Sequence, residues 1–301
     1  MGRVSYTLAL SDGQVETLKD CLSRDGFDFQ EKDHALYSAK RGKLNVTVYR
    51  KGPKVLVQGK ETEDFVKFVL EPEVVGEARL GYEEHWQAEM FEPHFGVDES
   101  GKGDYFGPLV VAGVYTNREI TRALLDAGIM DSKRIGSGKR IRELSAKIRG
   151  AVGGGYKVIR WAPARYNFLY EECKNINRML ARGHAVIVKD LSVRVPSCGR
   201  ALSDQFTKAP LIAGELKKRG VSLNLEERTK AESDIAVAAA SILARESFLD
   251  WMDRVSEKLG MDLPLGAGSE VKEVAREFLQ KFGKEELAEI AKVHFRTTRE
   301  L

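Results

Sequence analysis

Residues 96–104 read GVDESGKGD, and the interpretation of this stretch decides the fold class of the chain. Gly96, four further residues and then Gly101-Lys102 match the G-x-x-x-x-G-K core of a phosphate-binding P-loop. A P-loop needs Ser or Thr directly after the Lys, because that hydroxyl binds Mg²⁺, and here the residue is Gly103. Asp98 and Glu99 would also place two negative charges inside a loop that binds phosphate. The stretch is therefore not a P-loop, and the paired acids need another explanation.

The residues around this stretch predict a layered α/β domain over 93–301. A P-loop would lead directly into a helix, whereas this stretch is followed by Phe106-Gly107-Pro108 and then LVVAGVY, which is typical of a strand. Strands alternate with helices from there on, which favours a mixed sheet with helices packed on it. The predicted strands are 94–99, 107–115, 156–161 and 199–204, and the predicted helices are 138–149, 175–190, 233–258, 269–281 and 284–293, with Ser233 and Ser269 as helix caps.

A separate small α+β domain is predicted over residues 1–72. Apolar residues recur at helical spacing in 12–24 and in 61–70, while NVTVY at 45–49 alternates with the period of a strand. Arg41-Gly42-Lys43 reads as a hairpin turn. The order of elements is then β-α-β-β-β-α, a small sheet backed by two helices.

The strand region of this small domain is strongly basic. Residues 36–54 contain no acid, and Tyr37 and Tyr49 are interleaved with the bases. Such a stretch is either a solvated surface or a nucleic-acid-binding surface, and the combination of basic and aromatic residues on a sheet fits the second. The bases are Lys40, Arg41, Lys43, Arg50, Lys51 and Lys54.

An acidic linker is predicted at 73–92, between the two domains. Seven Glu and a single Arg occur in residues 71–92, which Pro72 and Pro93 bracket. The whole chain of 301 residues has a net charge of +3 and no apolar run of the roughly 20 residues that a membrane span needs. The three cysteines fit neither a disulfide framework nor a zinc pattern. We therefore expect a monomeric cytoplasmic protein without a membrane partner.

Four acids are candidates for one metal site. Asp98 and Glu99 end a predicted strand, where they can share a site only if the strand ends or bends. Asp204 ends a second strand, and Asp234 lies in the first turn of a helix, although a turn or a helix start would also explain each of them. Carboxylates that converge raise one another's pKa unless cations neutralise them, and Mg²⁺ or Mn²⁺ is the natural partner of such oxygen ligands. Asp190 is a rival for Asp204, but it falls within a helical run.

Five motifs follow one another along the chain: DESGKGDYFGPL (98–109), MDSK (130–133), SDIAVAAASILARE (233–246), LPLGAG (263–268) and HFRTT (294–298). Together they resemble bacterial ribonuclease HIII. The resemblance covers about 94–301, and its Gly-Lys-Gly is closer to that family than to ribonuclease HII, whose pattern has Gly-Arg-Gly. Residues 1–70 resemble, more weakly, the TATA-binding-protein-like substrate-binding domain of the family.

The resemblance implies an RNase H-like catalytic domain that cleaves the RNA strand of RNA/DNA hybrids with Mg²⁺ or Mn²⁺, leaving 3′-hydroxyl and 5′-phosphate ends. It implies that Gly101-Lys102-Gly103 reads ribose 2′-hydroxyls and that Lys133 meets a phosphate, although a lysine without a role is also compatible with that position. Cleavage at single ribonucleotides in DNA, as by ribonuclease HII, and binding of hybrids without catalysis are the alternatives. The implied acidic quartet is Asp98, Glu99, Asp204 and Asp234.

Overall fold

The computed structural model describes residues 5–76, 88–129, 135, 137–229 and 231–301. The chain divides into two compact units, Met1–Glu89 and Met90–Leu301. Most of the predicted linker 73–92 falls on residues 77–87, which lie outside the described residues, so its character stays a prediction. Within the described residues 5–76, the last helix ends at Val75, which is beyond the predicted domain boundary at residue 72.

The first unit is a five-stranded antiparallel sheet with the strand order β1-β5-β4-β3-β2. Its elements are β1 (Ser5–Ala9), α1 (Asp12–Arg24), β2 (Asp28–Gln30), β3 (Ala35–Arg41), β4 (Leu44–Tyr49), β5 (Lys54–Gln58), α2 (Thr62–Phe65) and α3 (Val66–Val75), the last being π-helical. The predicted pattern is present, but it lacked β2. All three residues of β2 are exposed, so this short edge strand carries no apolar alternation that sequence could reveal.

Alternating apolar residues build the core of the first unit. Val46 and Val48 of β4 lie fully buried against Leu18 and Leu22 of α1. Ser11 begins α1 with a capping box, since its hydroxyl accepts from the backbone of Gln14 and the Gln14 side chain accepts from the backbone of Ser11. The predicted hairpin turn is confirmed at residues 41–44, between β3 and β4.

The second unit is a mixed five-stranded sheet with the strand order β10-β9-β6-β7-β8. Strands β6, β9 and β10 are mutually parallel, whereas β7 runs antiparallel to both β6 and β8. Its elements are α4 (Ala88–Phe91), β6 (His94–Ser100), β7 (Leu109–Thr116), α5 (Arg118–Asp126), α6 (Gly138–Val152), β8 (Tyr156–Trp161), α7 (Pro163–Cys173), α8 (Ile176–Arg194), β9 (Arg200–Asp204), α9 (Leu211–Lys218), β10 (Asn224–Arg228), α10 (Ile235–Leu259), α11 (Ser269–Ile290) and α12 (Arg296–Arg299).

Helices cover both faces of this sheet. Along β7, Val110, Ala112 and Val114 pack into a core with α6, α10 and α11, while Leu109 and Val111 pack into a second core with α8 and α9. A strand that is buried on both faces reads as a continuous apolar run, and LVVAGV is such a run. The predicted strand is therefore confirmed, and it lies in the middle of the mixed sheet.

Strand β6 alternates between the same two cores, and this alternation sets the direction of its acids. Phe95 and Val97 face the α8 core. Gly96 faces α10 so closely that a Cβ atom there would lie 2.3 Å from the carbonyl carbon of Ala236. Only glycine allows the first turn of α10 to approach the strand this closely, so Gly96 brings the start of α10 to the end of β6.

Two predicted helix caps are wrong by one residue, although the predicted start of the helix at Ser269 is confirmed. Asp234, rather than Ser233, is the N-cap of α10, and its carboxylate accepts from the backbone N–H groups of Ala236 and Val237. Gly268, rather than Ser269, is the N-cap of α11. The predicted break between helices 269–281 and 284–293 is present, because Gly283 interrupts α11 with φ 86°. None of the helices in the described ranges combines the length and apolarity of a membrane span.

Candidate active site

Two parallel strands end side by side at the candidate site. Strands β6 and β9 are paired through Val97 and Ser203, so Asp98 and Asp204 come next on the two neighbouring strands. Because parallel strands carry their carboxyl ends to one edge of a sheet, these two carboxylates lie at the same edge. Open α/β sheets bind ligands at this edge.

A cleft of about 280 Å³ opens at this edge. It is polar, and five acidic residues line it: Asp98, Glu99, Asp104, Asp204 and Glu232. Asp104 already accepts the backbone N–H of Gly266, which leaves the other four as candidate metal ligands. The other lining residues are Ser100, Gly101, Lys102, Gly103, Ser241 and Arg245. Three of the four predicted acids therefore line one cleft, whereas Asp234 is not among the described residues that line it.

Asp98 faces helix α10. The hydroxyl of Ser241 on that helix hydrogen-bonds its carboxylate. The backbone N–H of Glu99 also donates to Asp98 Oδ1 at 2.8 Å. Burial and the neighbouring Glu99 carboxylate nevertheless raise the pKa of Asp98 to about 8. Without a cation, this carboxyl therefore holds its proton at neutral pH.

Glu99 faces the opposite way, toward helix α8. Its Oε2 lies 3.3 Å from His184 Nε2, and its Oε1 lies 3.6 Å from Lys102 Nζ. Burial alone would raise the pKa of Glu99, but the hydrogen bond from His184 and the charge of Lys102 outweigh it, and the pKa is lowered. The second nitrogen of His184, Nδ1, lies 3.1 Å from the Ser203 hydroxyl, so the buried ring is held from both sides.

Asp204 is oriented by the segment that leads into α10. Its Oδ1 accepts the backbone N–H of Ala231 at 3.1 Å. Its predicted rival, Asp190, lies on α8, where it pairs with Arg194 at 2.6 Å and with Lys157 at 3.8 Å. The structure therefore brings Asp204 to the cleft and gives Asp190 an ion-pairing role on a helix surface.

Asp234 is the predicted ligand that the structure does not bring to the cleft. Its carboxylate lies 3.0 Å from Nε2 of the fully buried His94, while Nδ1 of the same ring lies 2.7 Å from the carbonyl of Glu92. Asp234 therefore joins the start of β6 to the start of α10. Glu232, two residues earlier, lines the cleft instead. Sequence reasoning favoured Asp234 because it begins the helical pattern, but the short 3₁₀ turn Ala231–Ser233 shifts the residue that faces the cleft.

The glycine-rich turn forms one wall of the cleft, and its two glycines differ. Gly101 has φ +88°, and a Cβ atom there would lie 2.1 Å from the carbonyl oxygen of Pro108. Gly103 has no positive φ and no atom within 4 Å of the position of a Cβ. Between them, Lys102 extends over the ring of Phe206, with Nζ 5.3 Å from its centroid. The backbone fold requires glycine at 101, whereas it leaves open space beside residue 103.

The bases of the first unit lie in two groups. Lys40, Arg41 and Lys43 lie at the β3–β4 turn, and Arg50, Lys51 and Lys54 lie at the β4–β5 turn. These turns are at opposite ends of β4, roughly 20 Å apart for six residues of strand. A single nucleic-acid-binding surface over 36–54 therefore stays a prediction, and it would have to include both turns.

Some of these side chains also form hydrogen bonds within the protein. Arg41 donates to the carbonyl of Asp25 at 2.9 Å and lies 4.6 Å from the centroid of the Phe27 ring. Arg50 donates to the carbonyl of Ala35 at 2.9 Å. Tyr37, predicted to share the binding surface, donates its hydroxyl to the carbonyl of Val15 on α1. Lys133 lies outside the described residues, so its predicted role stays a prediction.

The donor set of the cleft suits a hard cation. Its acidic residues offer only oxygen ligands, and a divalent cation bound there would offset the charge repulsion that, together with burial, raises the pKa of Asp98. Within the described ranges, no three His, Cys, Asp or Glu side chains already surround a common point. The carboxylates must therefore turn toward an ion to bind it together. Sequence reasoning missed Glu232, Ser241 and Arg245 as cleft residues and His184 as the partner of Glu99.

Comparisons with known proteins agree with this arrangement. The family model described as Ribonuclease HII matches residues 95–298. Ribonuclease HIII of Protochlamydia amoebophila is 39% identical over 280 residues, which cover 93% of this chain and 90% of that protein. Ribonuclease HIII of Chlamydia felis is 37% identical over 298 residues, which cover 98% of this chain and 97% of that protein.

Solved structures match the whole chain. The crystal structure of Bst-RNase HIII in complex with Mn²⁺ superposes with a TM-score of 0.67 at 28% identity, covering 98% of this chain and 97% of that one. Aquifex aeolicus RNase H3 gives a TM-score of 0.55 at 25% identity over 97% of this chain and 100% of that one. These matches confirm the predicted fold class, a small α+β domain followed by an RNase H-like mixed-sheet domain. The chain belongs to the ribonuclease HII family, and over nearly its whole length it is a relative of ribonuclease HIII.

Proposed function

We propose that the cleft at the ends of β6 and β9 is where this ribonuclease H hydrolyses the RNA strand of an RNA/DNA hybrid. The observation that carries the proposal is the set of four carboxylates, Asp98, Glu99, Asp204 and Glu232, that lines one polar cleft. As in the rest of the family, the reaction depends on divalent metal ions. Mg²⁺ and Mn²⁺ are our proposed cofactors, and the Mn²⁺ complex of Bst-RNase HIII supports the second.

Four of the cleft carboxylates, Asp98, Glu99, Asp204 and Glu232, are the proposed metal ligands. Two divalent ions bound there would supply an activated water and would stabilise the leaving oxygen of a phosphodiester, which leaves 3′-hydroxyl and 5′-phosphate ends. His184 and Lys102 lower the pKa of Glu99, so this carboxylate is already ionised when a metal ion binds. Asp98 must lose its proton first, and the Ser241 hydroxyl orients its carboxylate.

Glu232 replaces Asp234 in this proposal. A carboxylate that already accepts two backbone N–H groups and contacts a buried imidazole has few lone pairs left for an ion. Asp234 is better explained as the residue that fixes α10 against β6. Glu232 precedes the same helix by three residues and lines the cleft, so it completes the acidic set.

The turn Gly101-Lys102-Gly103 is the proposed reader of the ribose. Because no atom lies within 4 Å of the position of a Cβ at Gly103, the backbone there is open to a close approach by substrate. A 2′-hydroxyl is the group that distinguishes RNA from DNA at such a contact. Lys102 stands beside it with a positive charge suited to phosphate.

The first unit is the proposed substrate-binding domain, connected through an acidic linker. It carries two groups of exposed bases, and Lys40, Lys43, Lys51 and Lys54 make none of the contacts described above for Arg41 and Arg50. Phosphate contacts from such bases supply affinity without sequence preference. A monomer in a reducing cytosol is the proposed state, which suits three cysteines that are all unpaired.

Four labelled substrates test the proposal. An RNA/DNA hybrid, a DNA duplex, an RNA duplex and a DNA duplex with one ribonucleotide are each incubated with Mg²⁺, with Mn²⁺ and with a chelator. We expect cleavage of the hybrid with either ion, none with the chelator, and none of the DNA duplex. Preferential cleavage at the single ribonucleotide would favour the ribonuclease HII-like alternative, and hybrid binding without cleavage would favour the non-catalytic one.

A further inference from the structure

Lys292 is a buried lysine that the proposed mechanism does not use. Its side chain is fully buried, and its Nζ donates to three backbone carbonyls, those of Asp104 at 2.8 Å, Gly107 at 2.7 Å and Phe106 at 3.4 Å. Nζ also lies 5.7 Å from the centroid of the Tyr166 ring. All three acceptors belong to the segment that directly follows the glycine-rich turn of the cleft.

The backbone around Lys292 binds the same segment. The N–H of Lys292 donates to the carbonyl of Tyr105 at 2.8 Å, and the N–H of Gly107 donates to the carbonyl of Ile290 at 2.9 Å. Phe106 and Ala291 form an isolated antiparallel bridge between these two bonds. Residues 290–292 therefore run along residues 105–107 as a short partner strand, and the lysine side chain adds three further bonds.

The loop Leu263–Gly268 holds the segment from a second direction. The N–H of Tyr105 donates to the carbonyl of Gly266 at 2.8 Å. The N–H of Gly266 in turn donates to Asp104 Oδ1 at 2.6 Å. Residues 104–107 thus have irregular backbone, yet their polar groups are bonded on both sides.

Packing alone does not explain why a lysine is buried at position 292. Burying an amine costs far more than burying a methionine of similar length, unless the amine satisfies buried acceptors. The carbonyls of residues 104, 106 and 107 are such acceptors, because the segment is not in a helix or sheet that would pair all of them. The lysine is therefore matched to the carbonyl positions of this segment, which continues directly from Gly103.

We propose that Lys292 is a positioning residue that fixes residues 104–107. By fixing this segment, it holds the adjoining Gly101–Gly103 turn at the distance from the proposed metal ligands that recognition of the ribose requires. The inference rests on the proposed role of that turn in binding substrate. The lysine itself touches no substrate and acts through the loop. Lys292 lies 185 residues beyond Gly107 in the sequence, so a residue near the end of the chain orients a loop of the cleft.

Lys292→Met tests this inference, because methionine keeps the length of the side chain and removes every N–H donor. The matched control is Ile212→Ala, a fully buried position on α9 in the core on the other face of the sheet. Both variants should unfold at lower temperature than the wild type, so steady-state kinetics on the hybrid are measured well below both transitions. We expect Lys292→Met to raise KM about 10-fold or more, and Ile212→Ala to leave KM within about twofold.

Amide hydrogen exchange provides a readout that does not depend on activity. In Lys292→Met, the amides of Tyr105 and Gly107 should exchange at least about 10-fold faster relative to the rest of the second unit, whereas Ile212→Ala should preserve their relative protection. Unchanged KM and unchanged exchange in Lys292→Met, or equal changes in both variants, would overturn the inference.

The variant Lys292→Gln and the activity of the wild type distinguish failure of this inference from failure of the proposed function. Lys292→Gln retains two N–H donors on a side chain shorter by one atom, so it should raise KM less than Lys292→Met does. If Lys292→Met does not fold, unchanged KM and unchanged amide exchange in Lys292→Gln would overturn the inference. A wild-type protein that does not cleave the hybrid would instead contradict the proposed function, and the exchange experiment would still decide whether Lys292 holds the loop.

Discussion

The carboxylates of Asp98 and Glu99 leave strand β6 toward opposite faces of the sheet. Asp98 is hydrogen-bonded by Ser241 of α10, and Glu99 lies 3.3 Å from His184 of α8. The strand remains regular to Ser100, which pairs with Val110, so no bend brings the two acids together. They reach one cleft because it opens around the end of the strand. Their pKa values are shifted in opposite directions, because burial and the Glu99 charge raise the pKa of Asp98, whereas His184 and Lys102 lower that of Glu99.

Replacing Asp98 by Asn should stabilise the metal-free protein. The pKa of Asp98 is about 8 in the folded state and about 3.9 in an unfolded chain, so between these pH values the folded state holds the extra proton. The contribution of Asp98 to the free energy of unfolding must then fall as pH rises from about 4 to 8. Asp98→Asn removes this loss and should melt at a higher temperature than the wild type at pH 8 with chelator present.

Asp190→Asn is the control for that experiment, because this acid is ion-paired on the surface of α8. It should not gain stability at pH 8. Adding Mn²⁺ should raise the melting temperature of the wild type more than that of Asp98→Asn. A melting temperature for Asp98→Asn that is no higher than the wild type's would show that Asp98 is not held against ionisation.

The strands could be predicted where burial leaves a clear pattern. The run LVVAGV required a strand buried on both faces, and DES at the end of HFGV marked the edge where the site lies. Helix α9 and strand β10 were not predicted, since NLEER is polar and lies at the sheet edge. Helices α5 and α7 were missed as well.

The fourth acid could not be predicted for a geometric reason. Glu232 and Asp234 are two residues apart, and which one faces the cleft depends on a 3₁₀ turn and on the buried His94, 140 residues away. The role of His184 was equally hidden, since a lone histidine in an apolar helix carries no local pattern. The role of Lys292 could not be predicted either, because the three carbonyls that it binds lie far from it along the chain.

The two glycines of the cleft turn should respond differently to alanine. Gly103→Ala should fold with nearly wild-type stability, because its Cβ enters open space, yet it should reduce kcat/KM on the hybrid by about 10-fold or more by obstructing the ribose. Gly101→Ala should lose stability, because φ +88° is strained for alanine and its Cβ would meet Pro108. Thermal melts and hybrid kinetics of both variants check this. Wild-type kinetics in a folded Gly103→Ala protein would remove the turn from substrate recognition.

Deleting residues 1–87 should raise KM strongly and leave kcat within several-fold, because the deleted unit contributes binding and all four proposed metal ligands remain. Three lost phosphate contacts would reduce the slope of log affinity against log salt by about 3, at roughly 0.9 for each contact on a B-form duplex. Hybrid binding measured across a salt series checks the slope. An unchanged KM with an unchanged slope would mean that the bases of the first unit are only solvated.

Lys292 should give the protein a rise in stability between pH 7 and 10. Burial lowers its pKa to about 7, against an ordinary value of about 10.4 in the unfolded chain. Between these values the unfolded chain holds the extra proton, so the free energy of unfolding increases with pH, and below about 7 the contribution is constant. The facing groups titrate outside this window, since the pKa of His294 is lowered to about 4 by burial and that of Tyr166 is raised.

Urea unfolding of the wild type and of Lys292→Met at pH 7 and pH 9.5 measures this contribution. The difference between the two proteins should change with pH in favour of the wild type, because the methionine cannot titrate. The nearby Asp104 charge opposes the shift and would make the change smaller, without reversing it. The same pH dependence in both proteins would show that Lys292 is buried with its charge unperturbed.

The turnover number of Glu232→Gln, compared with that of Asp234→Asn, tests most directly that the carboxylates of the cleft perform the reaction. Glu232→Gln removes a proposed metal ligand and should lower kcat on the hybrid by at least about 10²-fold, the scale for one preorganised electrostatic group, with its fold intact. Asp234→Asn keeps a good helix cap but weakens the contact with His94, so it should lose roughly 1–3 kcal/mol of stability and keep kcat within several-fold. Near-wild-type kcat in Glu232→Gln, together with an inactive but folded Asp234→Asn, would contradict the account and return Asp234 to the metal site.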